Sequence, residues 1–386
     1  MPDIKVPGVR VAFEETERRE ILREIDAVLR SGMVAQDRKV REFEEFWADY
    51  TGCRHAVACS SGGAALEILV RALGVEGKDV LVPTNTFIAT VNAVQLAGGR
   101  PVFLDLDART MGVSFEEIQR KCTDRTAGVI VVHIGGIITD EIEKIAAWCA
   151  RRGLWLLEDA AHAHGSEFAG RRAGRFGLAA AYSFFATKVV TSGEGGMIVC
   201  DDDGLKETCL QLRDYGKRAQ WETYHVRIGS NHRMSEVTAV IGLSQSRRLD
   251  EFIRHREGVA RWYTEGLEKH LDLVLPAGRS SWYKYITLLP AGLDHQAVKT
   301  AMQARGIQIP GGVYDVPVHL QPVFRPLGLE GTLPRAEEIC RRHLCLPIFY
   351  GMTTEQADYV VACLREVLEG SGSGPAGSAD GRVAAP

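Results

Sequence analysis

The stretch "DVLVPTNTFIATVNAVQLAGGRPVFLDLD", Asp79 to Asp107, decides the fold. Two short apolar runs, "DVLVP" and "RPVFLDLD", flank "ATVNAVQLAGG", which ends in a glycine pair. Runs of that length around a helical segment read as strand, helix, strand. The strands are apolar almost throughout, as in a parallel sheet covered on both faces. The unit repeats outward. Upstream, "HAVACSSGG" reads as a strand running into glycines and "AALEILVRALG" as a helix. Downstream, "FEEIQRKC" is a helix, "AGVIVVHIGG" a strand, "DEIEKIAAWCARRG" a helix, and "LWLLEDAAHAHG" begins as a strand. This β-α alternation predicts an α/β fold with a parallel sheet.

Two amphipathic helices precede the sheet, Glu14 to Leu29 and Val40 to Gly52, the second stopped by its glycine. After "AAYSFFA" and "GGMIVCD" the alternation stops. Ser235 to His270 reads as one long helical stretch, and shorter strands and helices follow it. With 386 residues, more than one simple core is expected. The division predicted is 1–249 for a large domain, 250–369 for a small C-terminal domain, and 370–386 for a disordered Gly/Ser/Ala/Pro tail.

The net charge of -4 gives no ground for a nucleic-acid surface, and no apolar run is long enough to span a bilayer. The nine cysteines include no CxxC pair and mostly sit in apolar runs, so buried free thiols in a reducing cytoplasm are expected. No signal peptide is visible in "MPDIKVPGVR".

In open α/β sheets ligands bind beyond the carboxyl ends of the strands. Those ends carry Ser60-Ser61-Gly62-Gly63, Asn85-Thr86-Phe87, His133, Glu158-Asp159, His162, and Thr187-Lys188. Serines and glycines before a helix can cradle a phosphate; the plainer reading is a capped strand-to-helix turn. Asp159 can be a functional carboxylate or a helix cap, and Glu158 beside it points to the other face. His162 and His164 form an H-x-H pair, but no cluster with ligand spacing supports a metal. Lys188 lies in "YSFFATKVVTSGEGGMIV" (Tyr182 to Val199), read as ending an apolar strand. Lysine is seldom fully buried without a partner, so it is either snorkelling or held for chemistry. Taken together, a phosphate cradle, an aromatic, a strand-end Asp and a strand-end Lys are what pyridoxal 5'-phosphate (PLP) requires. The lysine binds the cofactor covalently, and the aspartate keeps its ring nitrogen protonated.

These parts make the chain similar to the DegT/StrS family of PLP-dependent sugar aminotransferases. The resemblance runs from about Val11 to Glu369. It rests on "CSSGGAALEILVRALG", "VPTNTFIATVNAVQLAGGRPVFLDLD", "EDAAHAHGSEFAGRRAGRFG", "YSFFATKVVTSGEGGMIV", "GSNHRMSEVTAVIGLSQSRRLD" and "LPRAEEICRRHLCLPIFYGMT". It implies fold type I, with a mainly parallel seven-stranded sheet flanked by helices and a smaller C-terminal α/β domain. It makes Lys188 the catalytic lysine and Asp159 the partner of the ring nitrogen. His162 falls near the cofactor's ring hydroxyl, and Ser183, Ser61, Gly62 and Gly63 fall around its phosphate. Phe87 is the stacking aromatic. Asn231 in "GSNHR" reaches the phosphate of a neighbouring subunit, which implies a homodimer with shared active sites. His133, Tyr314 and His319 are substrate-side candidates; for Tyr314 and His319 loop packing is the other reading.

The chain departs from the family at Gly63, where a hydroxyl residue is usual. It lacks an aromatic in "VHIGGIITD", and its spacing in "GIQIPGGVYDVPVHLQPVF" is unusual. The family's 3-dehydratases carry histidine at the lysine position, so Lys188 argues against that branch. The implied reaction moves an amino group from L-glutamate or L-glutamine to a keto-sugar, expected to be a nucleotide-linked keto-deoxysugar. A keto-cyclitol acceptor, a PLP enzyme that does not transaminate and a PLP-binding sensor are the alternatives.

Overall fold

The computed structural model describes residues 4–329 and 331–371. Two helices, α1 (Glu15–Ser31) and α2 (Arg38–Thr51), lead into the sheet, each closed by a glycine in the left-handed region, Gly32 and Gly52. The alternation then runs β1 (His55–Cys59), α3 (Gly62–Ala72), β2 (Asp79–Pro83), α4 (Ile88–Leu96), β3 (Arg100–Leu104), α5 (Phe115–Lys121), β4 (Thr126–Val132), α6 (Ile142–Arg151) and β5 (Trp155–Asp159). A two-residue hairpin follows, β6 (Glu167–Phe168) and β7 (Arg171–Arg172), then β8 (Ala179–Ser183), β9 (Gly196–Cys200) and α7 (Asp203–Arg213).

The seven main strands form one sheet in the order β1-β9-β8-β5-β4-β2-β3. β9 runs antiparallel to both its neighbours, and the other pairings are parallel. Six strands therefore end at the same edge. Every residue of β2, β8 and β9 is buried, as a sheet covered on both faces demands. The strand period of two divides the side chains between two cores. Val57, Val80, Ile130, Leu157, Ala181 and Ile198 face one; Ala58, Leu81, Val129, Leu156, Tyr182 and Val199 face the other.

The long helical stretch is two helices, α8 (Glu236–Arg247) and α9 (Leu249–Leu267). The chain leaves the helical path at Arg248 (φ -100°, ψ 4°). There its guanidinium is held by Glu17 at 2.8 Å, Glu14 at 2.9 Å and Glu251 at 2.8 Å. Beyond lie β10 (Asp272–Val274), β11 (Tyr285–Leu288), α10 (His295–Ala304), α11 (Pro334–Arg342), β12 (His343–Leu346) and α12 (Thr354–Ser371). β10, β11 and β12 form a three-stranded antiparallel sheet. It shares a third core with α9 and α12 through Tyr263, Tyr285, Leu344, Leu346, Val360 and Leu364. The chain's first described residues belong to this core too: Val6 is buried in it and bridges Ile307. Of the predicted tail, 370–371 close α12, and the rest lies outside the described residues.

All nine cysteines are free thiols, and only Cys122 is more than marginally accessible. No helix among the described residues is long and apolar enough to cross a membrane.

Candidate active site

A cavity of about 460 Å³ opens at the edge where the strands end. Asp159, the last residue of β5, projects into it and is 5% exposed. Thr90, on the first turn of α4, donates to its Oδ2 at 2.7 Å, and the Ala161 amide donates to Oδ1 at 3.1 Å. Thr86 extends this chain of hydroxyls, 2.7 Å from Thr90. These donors do not cancel the burial, which pushes the Asp159 carboxyl above its ordinary range.

Glu158, one residue earlier, faces the opposite core and is wholly buried. Its Oε1 accepts from the amides of Phe176 (2.8 Å) and Gly177 (2.7 Å); its Oε2 accepts from Gly174 N (2.7 Å) and His133 Nε2 (2.9 Å). Burial opposes ionisation of Glu158, but His133 and these amides win and hold its pKa below the usual value.

Lys188 is not at a strand end as the sequence suggested. β8 stops at Ser183, and the lysine sits in the turn that follows, its amide bonded to Phe185 O at 2.9 Å. The reason is the antiparallel step to β9. The chain must reverse between the two strands, and Phe184 and Gly195 close that loop with a 2.8 Å backbone bond. The Lys188 ammonium lies 4.7 Å from the centre of the Tyr283 ring. Burial pulls its pKa down to about 8, against the opposing pull of Asp159.

The other end of the cavity is built around the start of α3. Ser61 caps that helix, its Oγ accepting from Ala64 N at 3.1 Å, so the plainer reading of this serine also holds. Gly62 is pressed against β8: a Cβ there would stand 2.7 Å from Ser183 Cβ. A Cβ on Gly63 would meet Ala89 at 3.5 Å, an ordinary contact. Ser183, Gly62 and Gly63 all line the cavity beside the free amides of the helix N-terminus.

His162 lines the wall, its Nδ1 accepting from Gly135 N at 3.3 Å and its ring 4.3 Å from Tyr283. Burial, then Lys188 and Lys284, hold its pKa well below normal, so the imidazole is neutral. Phe87 is 57% exposed at the mouth, its ring 6.0 Å from that of Tyr314, which also lines the cavity.

Three expected residues lie elsewhere. His133 is 1% exposed, turned towards Glu158 beneath the sheet edge, and does not line the cavity. His319 is likewise buried, with Nδ1 2.6 Å from Thr84 Oγ1 and Nε2 3.4 Å from Glu337, which leaves it the loop-packing role. Asn231 is exposed and pairs with Asp214, away from the cavity of its own chain. Thr90, Tyr283 and Glu194 were not singled out in the sequence. Thr90 could have been found from its place three residues after the strand-end Phe87, but Tyr283 carries no local signal.

The donor set fits PLP. The helix N-terminus and Ser183 would hold its phosphate in a cradle too tight for a Cβ at position 62. Asp159 would meet its ring nitrogen, and Lys188 its carbonyl carbon.

Known proteins agree with this reading. Residues 15–365 match the DegT/DnrJ/EryC1/StrS aminotransferase family. GDP-perosamine synthase of Caulobacter vibrioides is 33% identical over 95% of this chain and 99% of its own length. The UDP-N-acetyl-3-dehydro-alpha-D-glucosamine 3-aminotransferase of Acidithiobacillus ferrooxidans is 35% identical over 92% of this chain and 95% of its own. The solved structure of S. venezuelae DesV in complex with a ketimine intermediate superposes with a TM-score of 0.87 at 32% identity, covering 94% of this chain and 99% of that one. The chain belongs to the DegT/DnrJ/EryC1/StrS aminotransferase family, and it is a PLP-dependent enzyme of that family.

Proposed function

We propose that the enzyme transfers the amino group of L-glutamate or L-glutamine to the keto group of a nucleotide-linked sugar. The observation that carries this is a pair of relatives named for nucleotide sugars, each matching more than nine-tenths of both chains. PLP, when bound, supplies an electron sink for the carbon that carries the amine. The protein's own part is proton transfer and charge. Lys188 Nζ takes a proton from the substrate carbon and returns it, a task suited to an amine whose pKa lies near 8. Asp159, held by Thr90 and Ala161, supplies the fixed negative charge that keeps a bound ring nitrogen protonated. His162 offers its Nε2–H as a neutral donor, because Nδ1 already accepts from Gly135. Tyr283 and Phe87 flank the cavity and limit its water.

In the same reading the enzyme is a cytoplasmic homodimer. Exposed Asn231 then serves the partner's cavity rather than its own. Residues 1–249 form the cofactor-holding unit, and 250–369 a smaller unit that lends Tyr283 and Tyr314 to the cavity wall.

The test is an absorbance spectrum of the PLP-loaded protein before and after L-glutamate, and separately L-glutamine, with Lys188→Ala alongside. The wild type should lose its long-wavelength cofactor band on adding glutamate, and the variant should not. Keto-sugars linked to nucleotides, and keto-cyclitols for comparison, should then restore the band. A band unchanged by both amino acids refutes the donor half. Restoration by keto-cyclitols alone refutes the acceptor.

A further inference from the structure

A small cleft opens beside the main cavity and shares two of its walls, Thr187 and Tyr283. Arg256 and Lys284 line it. Arg256 is buried. Its Nη1 donates to Trp282 O at 3.0 Å and to Ile348 O at 2.9 Å, while its buried Nε has no partner. Lys284 donates to Gly311 O at 2.9 Å.

Neither cation is ion-paired with a carboxylate among the described residues, and no carboxylate perturbs either one. Other well-covered arginines of this chain are paired: Arg213 with Glu44 at 2.7 Å, Arg248 with Glu17 at 2.8 Å. Burial without an anion lowers the pKa of Lys284 and pulls that of Arg256 down to about 10. A buried guanidinium such as that of Arg256 calls for a counter-charge, and the half-buried Lys284 adds a second positive charge beside it. The cleft also lies next to the chemistry. The ammonium groups of Lys188 and Lys284 sit 4.7 and 5.2 Å from the centre of the same Tyr283 ring.

We propose that Arg256 and Lys284 form a subsite for a carboxylate of the amino-acid donor, one aromatic ring away from Lys188. The proposal rests on the transamination reading above and assigns residues to its donor half. Size selects the ligand. The cleft holds about 10 Å³ of free space, room for one water-sized group. A carboxylate can insert an oxygen there; a nucleoside diphosphate cannot enter.

The experiment uses the PLP-loaded enzyme, Lys284→Met and Lys284→Arg, and glutarate as probe. Glutarate has the carboxylates of glutamate but no amino group, so its binding does not depend on turnover. Calorimetry should find glutarate bound by the wild type, about tenfold or more weaker in Lys284→Met, and restored to within about threefold in Lys284→Arg. In steady state the donor KM should rise by a similar factor in Lys284→Met, with the acceptor KM unchanged. Three results overturn the subsite: no glutarate binding in the wild type, equal binding in Lys284→Met, or a rise in the acceptor KM instead of the donor's. Glutarate binding that follows Lys284 in an enzyme that never converts glutamate would uphold the subsite and refute transamination.

Discussion

Replacing Asp159 with asparagine should stabilise the cofactor-free protein at neutral pH, although it removes the charge the cofactor needs. The carboxylate is almost fully buried and takes only two protein hydrogen bonds, from Thr90 and Ala161. Asparagine keeps the shape and loses the charge. Turning two charge-assisted bonds into neutral ones loses about 1 kcal/mol each. Removing a buried carboxylate without a full partner recovers several kcal/mol, about 4. Burial wins, as the upward shift of the Asp159 pKa also says, and the net gain is about 2 kcal/mol, or about 2–4 °C in Tm. The pH dependence has a definite sign. A folded pKa above the unfolded one means stability that is present below the unfolded pKa, about 3.9, and lost as pH rises through the folded pKa. The wild type therefore carries the loss at neutral pH, and the gap to the variant should close on acidification. The assay is thermal unfolding of both proteins, stripped of PLP, at about pH 7.5 and about pH 5. Adding PLP should reverse the order, because the wild type then gains its missing cation. A wild type more stable than Asp159→Asn without PLP at neutral pH would refute the reasoning, as would a gap that widens in acid.

Glu158→Gln should behave in the opposite way. Each oxygen of Glu158 faces two donors, so an amide nitrogen would confront Gly174 N–H and the His133 donor, at a loss of about 3 kcal/mol by urea titration. A depressed folded pKa means stability present above the unfolded pKa and lost as pH falls through the folded one, so the variant's deficit should shrink only in strong acid. The cofactor-free protein should capture added PLP at a rate that rises with pH to a midpoint near 8, since only the neutral Lys188 amine is a nucleophile; a midpoint near that of free lysine would contradict the burial argument. Gly62→Ala should weaken PLP retention in dialysis at least about tenfold, because its methyl would crowd Ser183, whereas Gly63→Thr should retain PLP as well as the wild type or better.

The sheet was legible because its strands are buried on both sides. "DVLVP" and "GMIVC" carry no alternation to confuse with a helix, and glycines or prolines mark their ends. Lys188 and Asp159 stood out because a charge beside such a run is rarely idle. What stayed hidden was direction. His133 and His319 sit in segments that do approach the cavity, yet their rings turn to Glu158 and Thr84, and no local pattern reveals a side chain's partner. Tyr283 comes from beyond α9, so its meeting with Lys188 is a product of tertiary packing alone. The break at Arg248 was equally silent, since "SRRLDEF" contains no glycine or proline and the turn accompanies contacts with Glu14 and Glu17 far upstream.

The adjacent carboxylates of β5 make the strand's register a parity check on the chemistry. β5 pairs with β8 through Asp159 opposite Ala181, and a slip of one residue would exchange the faces of the two acids. The longer acid would then enter the cavity, and the shorter one would be stranded beneath the sheet, out of reach of the Gly174–Gly177 amides. Glu158, with no part in the reaction, thus acts as the key that admits only one threading of the strand. Selection on its four hydrogen bonds is, in effect, selection on where its neighbour's charge points.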